Sequence, residues 1–156
     1  MNLQTENKLI FALLWFLLTG ILPVLVLWPI YSNEIKFSFY FHNILIISAP
    51  VLFLRYIFFI RFTYIEMKII PKLLLIPAGI ILAIYSYYIL NEFIDFYNNN
   101  GIYYSLERFT LEKQQFLGNY LFRQFIFFSA FTIITSLIIP ARMVISIWRV
   151  YNKGTE

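Results

Sequence analysis

Hydrophobic residues in this chain fall into four long runs that no charged residue interrupts: Leu9 to Ile30, Phe37 to Leu54, Leu73 to Asn91 and Gln124 to Ala141. A bilayer core is crossed by roughly 20 apolar residues in α-helical form, with a range of about 17–25. Each run supplies all or most of one such helix. A closed β-barrel would instead show segments of about 10 residues with alternating polarity, and these runs do not alternate. The pattern predicts an all-α integral membrane protein. It forms one membrane domain over residues 1–156, a four-transmembrane-helix bundle with spans near 9–30, 38–60, 70–91 and 118–144 and an outer loop over 91–117. Arg55, Arg61, Lys72 and Arg123 stand at span ends and are expected to snorkel toward the headgroups.

Composition strengthens this picture. The 156 residues are 61% hydrophobic and 13% charged, with mean hydropathy +0.75, against about 25% charged in an ordinary soluble domain. That leaves too little polar surface to keep a globule in water. The first run follows Lys8, as in a secretory signal, but it exceeds the core length of such a signal and no small-x-small site closes it. It is expected to be retained as a span.

Charge sets the expected orientation. Lys8, the link residues Arg55, Arg61, Lys68 and Lys72, and the C-terminal Arg142, Arg149 and Lys153 share one face. Lys36, Arg108, Lys113 and Arg123 share the other. Eight against four places both termini in the cytoplasm by the positive-inside rule. Glu34, Glu92, Asp95, Glu107 and Glu112 then make the outer face rich in carboxylate. Many tyrosines, among them Tyr31, Tyr40, Tyr85, Tyr87, Tyr88, Tyr97, Tyr103, Tyr104 and Tyr120, fall near the outer interface, as expected of an aromatic belt or of a docking surface.

Small residues mark where helices can touch. Gly79, Ala83 and Ser86 lie along the third span, and Ser129, Thr132 and Ser136 share one face of the fourth. Two readings are open for each stripe: packing inside the bundle, or an intramembrane surface for another protein's helix. Pro50 and Pro77 lie deep enough to kink their spans unless neighbours satisfy the freed carbonyls. The short links between the first three spans predict sequential antiparallel neighbours. The long third link carries a turn signal at Asn98-Asn99-Asn100-Gly101. A short amphipathic helix is expected to follow, with Ser105 as its N-cap and Glu107 in its first turn.

Chemistry is little represented. The chain has no cysteine, which excludes disulfides, thiol catalysis and thiolate metal sites. His42 stands alone, without a partner at metal-ligand spacing, and no phosphate-binding glycine loop or nucleophile motif is present. No cofactor, metal, catalytic residue or nucleic-acid partner is expected, since topology accounts for the net charge of +4. The middle of each span is uncharged, which gives no positive sign of transport.

The layout resembles the immunity proteins of pore-forming colicins, in the group of colicins A, B and N. The resemblance rests on four spans with both termini inside, Ala49-Pro50 in the second span, a basic inner link and Pro77 in the third span. It continues with an outer loop opening at Asn91-Glu92-Phe93 and a last span ending in Ile139-Pro140 before a basic tail. It implies a protein of the bacterial inner membrane, without enzymatic activity, that binds the C-terminal pore-forming domain of its cognate toxin and blocks channel opening. Candidate partner-binding residues are then Asn43, Glu92, Asp95, Tyr120 and Arg123. A small transporter, channel or accessory subunit of a larger membrane complex is the alternative.

Overall fold

The computed structural model of the chain describes residues 3–99 and 101–152, so Asn100 of the expected turn and Lys153 of the basic tail lie outside the described residues. The described chain is helical throughout its elements: α1 (Leu3–Ser32), α2 (Tyr40–Phe58), a single 3-10 turn (Ile60–Phe62), α3 (Ile69–Asn98), α4 (Gly101–Leu106) and α5 (Leu111–Asn152). Four of these, α1, α2, α3 and α5, are long and apolar enough to cross a membrane. Side chains that a soluble protein would bury, such as Leu14, Leu17, Val24, Ile81 and Leu137, are well exposed on the outside of the bundle, as suits a multi-pass membrane protein whose solvent is hydrocarbon.

Helices pack in the order α1, α2, α5, α3. The sequential arrangement expected from the short links therefore holds for α1 and α2 but not for α2 and α3. The longest helix, α5, takes the central place because it carries a continuous inward stripe. Gly118, Phe125, Thr132, Ile139 and Ser146 are seven residues apart and, Pro140's neighbourhood included, all buried. On α3 the buried Lys72, Gly79, Ser86 and Phe93 repeat the same interval. A repeat of 3.5 residues per turn is the signature of helices that pack at a shallow angle over a long seam. The two stripes run antiparallel, so that Phe93 meets Phe125, Ser86 is level with Thr132, Gly79 meets Ile139 and Lys72 is level with Ser146. Two contacts fix this register: the Phe93 and Phe125 rings stack with centroids 3.9 Å apart, and a Cβ on Gly79 would lie 3.3 Å from the Ile139 side chain.

Two apolar clusters hold the ends. At the end away from the termini, all five helices and the first link contribute, with Ile30, Phe37, Ile47, Phe93, Leu106 and Phe125 among the members. Phe37 and Phe39 set their edges against Phe93 and Phe125 at 5.6–6.3 Å, the geometry that the ring quadrupole favours. The second cluster, near the termini, is Phe53, Ile57, Ile60, Ile139 and Met143. The end of α1 is closed by a Schellman motif: the Ile35 N–H donates to Ile30 O and the Glu34 N–H to Tyr31 O, both at 3.0 Å. Glu34 takes φ 50° there, and the motif's apolar contact is between buried Ile30 and Ile35.

Three expectations are revised. Most of residues 91–117 is helical: α3 continues to Asn98 and α5 begins at Leu111, so helices of 30 and 42 residues extend past the apolar runs. The short helix there starts at Gly101, and Ser105 lies inside it, its hydroxyl 3.4 Å from Gly101 O. Ser105 is thus no N-cap, and Glu107 follows the helix end. Lys72 and Arg55 are buried and do not snorkel. The Lys72 ammonium folds back on the Glu66 carbonyl, and Arg55 lies over the rings of Phe11, Phe16 and Tyr56 at 5.7–5.8 Å, a placement that suits a weakly hydrated guanidinium.

Candidate functional site

Both small-residue stripes lie inside the bundle. Gly79, Ala83, Ser86, Ser129, Thr132 and Ser136 are all buried, and they form the α3–α5 seam. Gly79 lets the backbones approach most closely, since a Cβ there would stand 2.8 Å from the Ser136 carbonyl oxygen. That carbonyl has lost its helical donor to Pro140, four residues on. The same logic joins α2 to α5. Pro50 deprives the Ile46 carbonyl of its helical N–H, and the Thr132 hydroxyl donates to it at 2.6 Å. A neighbouring helix thereby replaces the bond that proline removes.

Polar side chains are also enclosed in the bundle. Asn43 on α2, Ser86 on α3 and Ser129 and Ser136 on α5 are buried and their side-chain polar atoms have no hydrogen-bond partner. The helix register set by Thr132 against Ile46 puts Asn43 level with Ser129, and the α3–α5 register adds Ser86. An unpartnered polar group in an apolar surround costs on the order of 1–3 kcal/mol, so these side chains weaken the packing around them. Asn43 is inside, not on a surface.

One concavity opens sideways from the bundle in its half away from the termini. It is about 550 Å³ in volume and lies between Val26 of α1 and a face of α5 that presents Asn119, Tyr120, Arg123, Gln124 and Phe127. Tyr120 bridges its two sides, its hydroxyl donating to Val26 O at 2.7 Å. Gln124 is only 8% exposed, and both its amide nitrogen and its amide oxygen lack a partner. Arg123 is exposed at the mouth and forms no ion pair among the described residues. The groove therefore offers an apolar wall, an unused donor and acceptor at depth, and a free cation at its rim.

Of the five candidate partner-binding residues, the fold brings Tyr120 and Arg123 together in this groove. Glu92 and Asp95 are exposed one turn apart on the far end of α3, outside the groove lining, and Asn43 is enclosed. The sequence reading missed Gln124. Its signal was available: a neutral amide inside an uncharged run, three residues after buried Leu121 and seven after buried Leu117, hence on the inward stripe of α5. Arg108 was read as an outer-face charge near the expected short helix, without a partner assigned to it. It ties the first link to the α4–α5 turn by donating to the Asn33 and Glu34 carbonyls.

Among the described residues no group of three or more His, Asp or Glu side chains comes together, and His42 stacks on Tyr85 with ring centroids 6.1 Å apart. No protein family's sequence profile matches the chain, and neither a characterised protein nor a solved structure matches it.

Proposed function

We propose that the chain is a bacteriocin immunity protein, held in the bacterial inner membrane with both termini in the cytoplasm, which binds the pore-forming domain of its cognate toxin and keeps the channel closed. The observation that carries this reading is the lateral groove between α1 and α5, with the unpartnered Gln124 amide at its base. A pore-former must place a hydrophobic helical hairpin in the membrane before its charged helices move. A resident bundle with an open side can receive that hairpin. A polar side chain on it at the depth of Gln124 would complete an interhelical hydrogen bond worth on the order of 1 kcal/mol, with the apolar wall supplying packing.

Specificity would come from the rim. Arg123 lies at the groove mouth and Glu92 and Asp95 on the neighbouring end of α3, so a toxin with unmatched charges meets repulsion or an unpaired ion. The resemblance in the placement of Ala49-Pro50, Pro77 and Ile139-Pro140 adds support, because Pro50 and Pro140 both stand where α5 meets its neighbours. The Lys and Arg excess at the end carrying the termini supports the orientation.

Co-purification tests the reading. The full chain in mild detergent is mixed with the isolated pore-forming domains of a panel of bacteriocins. One domain should be retained in equal proportion while the others wash through. Failure to retain any domain, with any toxin found encoded beside this chain included in the panel, would contradict it.

A further inference from the structure

A second concavity lies at the end that carries the termini. It is about 290 Å³ and is enclosed by the 3-10 turn with its following link and by the last turns of α5, with Arg61, Glu66, Arg142, Ser146 and Arg149 in its lining. Arg142, Ser146 and Arg149 are four and three residues apart and so share one helix face. Arg61 reaches the same space from the turn opposite.

The charges there do not cancel. Arg142 is anchored through Nε, which donates to the Ile57 carbonyl at 2.7 Å. That carbonyl belongs to the last turn of α2, where helical donors run out. Bonding through Nε leaves the two terminal amino groups of Arg142 for other acceptors. Glu66 is the carboxylate of the lining, and its Oε2 already lies 2.9 Å from the Lys8 ammonium. Among the described residues none of the three arginines forms an ion pair. Three guanidinium groups thus converge on one cleft whose single carboxylate is spoken for, and a bound anion is what relieves their repulsion. Planar forks of N–H donors fit tetrahedral phosphate oxygens two at a time. Exposed Phe62, Met67, Trp148 and Tyr151 occupy the same end, as at headgroup depth.

We propose that this cleft is a phosphate-binding site, independent of the toxin-binding reading. Two sources present that chemistry, the headgroup of an anionic phospholipid and free inorganic phosphate.

The full chain is placed in phosphatidylcholine nanodiscs with a minor fraction of phosphatidylglycerol, and retained lipid is read by native mass spectrometry. In a second arm, inorganic phosphate is titrated against thermal stability in phosphatidylcholine alone. Retention of phosphatidylglycerol over phosphatidylcholine by at least about tenfold, lowered about fivefold by Arg61→Gln and again by Arg149→Gln, is the expected result for a headgroup. Stabilisation by inorganic phosphate with the same arginine dependence assigns the site to the free anion. Lys36→Gln, an equal change of charge at the opposite end, should leave either signal unchanged. Arg61 and Arg149 are exposed, so their substitution tests the site without removing the Arg142 anchor. Absence of both signals, or a lipid preference that survives the double substitution, overturns the proposal.

Discussion

A methyl group added at Gly79 would stand 2.8 Å from the Ser136 carbonyl oxygen and 3.1 Å from the Pro140 ring, whereas one added at Gly20 would meet nothing within 4 Å. Backbone cannot give way as a flexible side chain does, so Gly79→Ala should push α3 from α5 and cost about 1–3 kcal/mol. Gly20→Ala should be neutral or slightly stabilising, by under about 1 kcal/mol. Equilibrium unfolding in bicelles would measure both; equal effects would refute the seam. Gln124 gives the opposite expectation for stability and function. Replacing its unpartnered amide by Leu should raise stability by about 1 kcal/mol while reducing retention of the toxin domain. A variant that is more stable yet binds fully would remove Gln124 from the recognition site. The sequence carried the small-residue stripes plainly, since Ser129, Thr132 and Ser136 recur at helical spacing. It could not say that they face Gly79, Ala83 and Ser86, because inward and outward stripes look alike when the solvent is also apolar.

At the scale of elements, charge-free runs announced four long helices; α1, α3 and α5 cover their runs whole, and α2 covers its run from Tyr40 onward. Their ends were harder to read, because Glu92, Asp95, Glu112 and Lys113 are polar without being helix breakers. By the usual rise, the 42 residues of α5 span about 63 Å, twice a bilayer core of about 30 Å, so polar sequence there extends a helix where a loop was expected. Neighbour order was also hidden: a short link brings helix ends together but does not oblige whole helices to pack, and the matched seven-residue stripes of α3 and α5 prevail. Prolines were legible in position, and their compensation needed the fold. Thr132→Val should cost about 1 kcal/mol by leaving the Ile46 carbonyl without its donor. In a Pro50→Ala background, where the helix recovers its own bond, the same substitution should cost less than half as much. A cycle with no coupling would mean that the Thr132 bond does not compensate Pro50.

Taken whole, the molecule is a bundle whose packing is unequal. The α3–α5 pair is the stable seam, α2 is fastened to it through Thr132, and α1 lies on the outside along α2, with the Tyr120 bond to Val26 joining it to α5. Buried Asn43, Ser86 and Ser129 carry side-chain polar atoms without partners. Such a bundle has an open flank where the lateral groove lies, and the immunity reading makes that flank its working surface. Potassium efflux tests this claim most directly: the chain is expressed in a toxin-sensitive Gram-negative strain, and efflux is followed after adding each member of a panel of pore-forming bacteriocins. Efflux should be suppressed for one toxin and proceed unchanged for the rest, and Tyr120→Phe with Arg123→Gln should restore it. Unchanged efflux across a panel that includes any toxin found encoded beside this chain would contradict the immunity reading and favour an accessory subunit of a larger membrane complex.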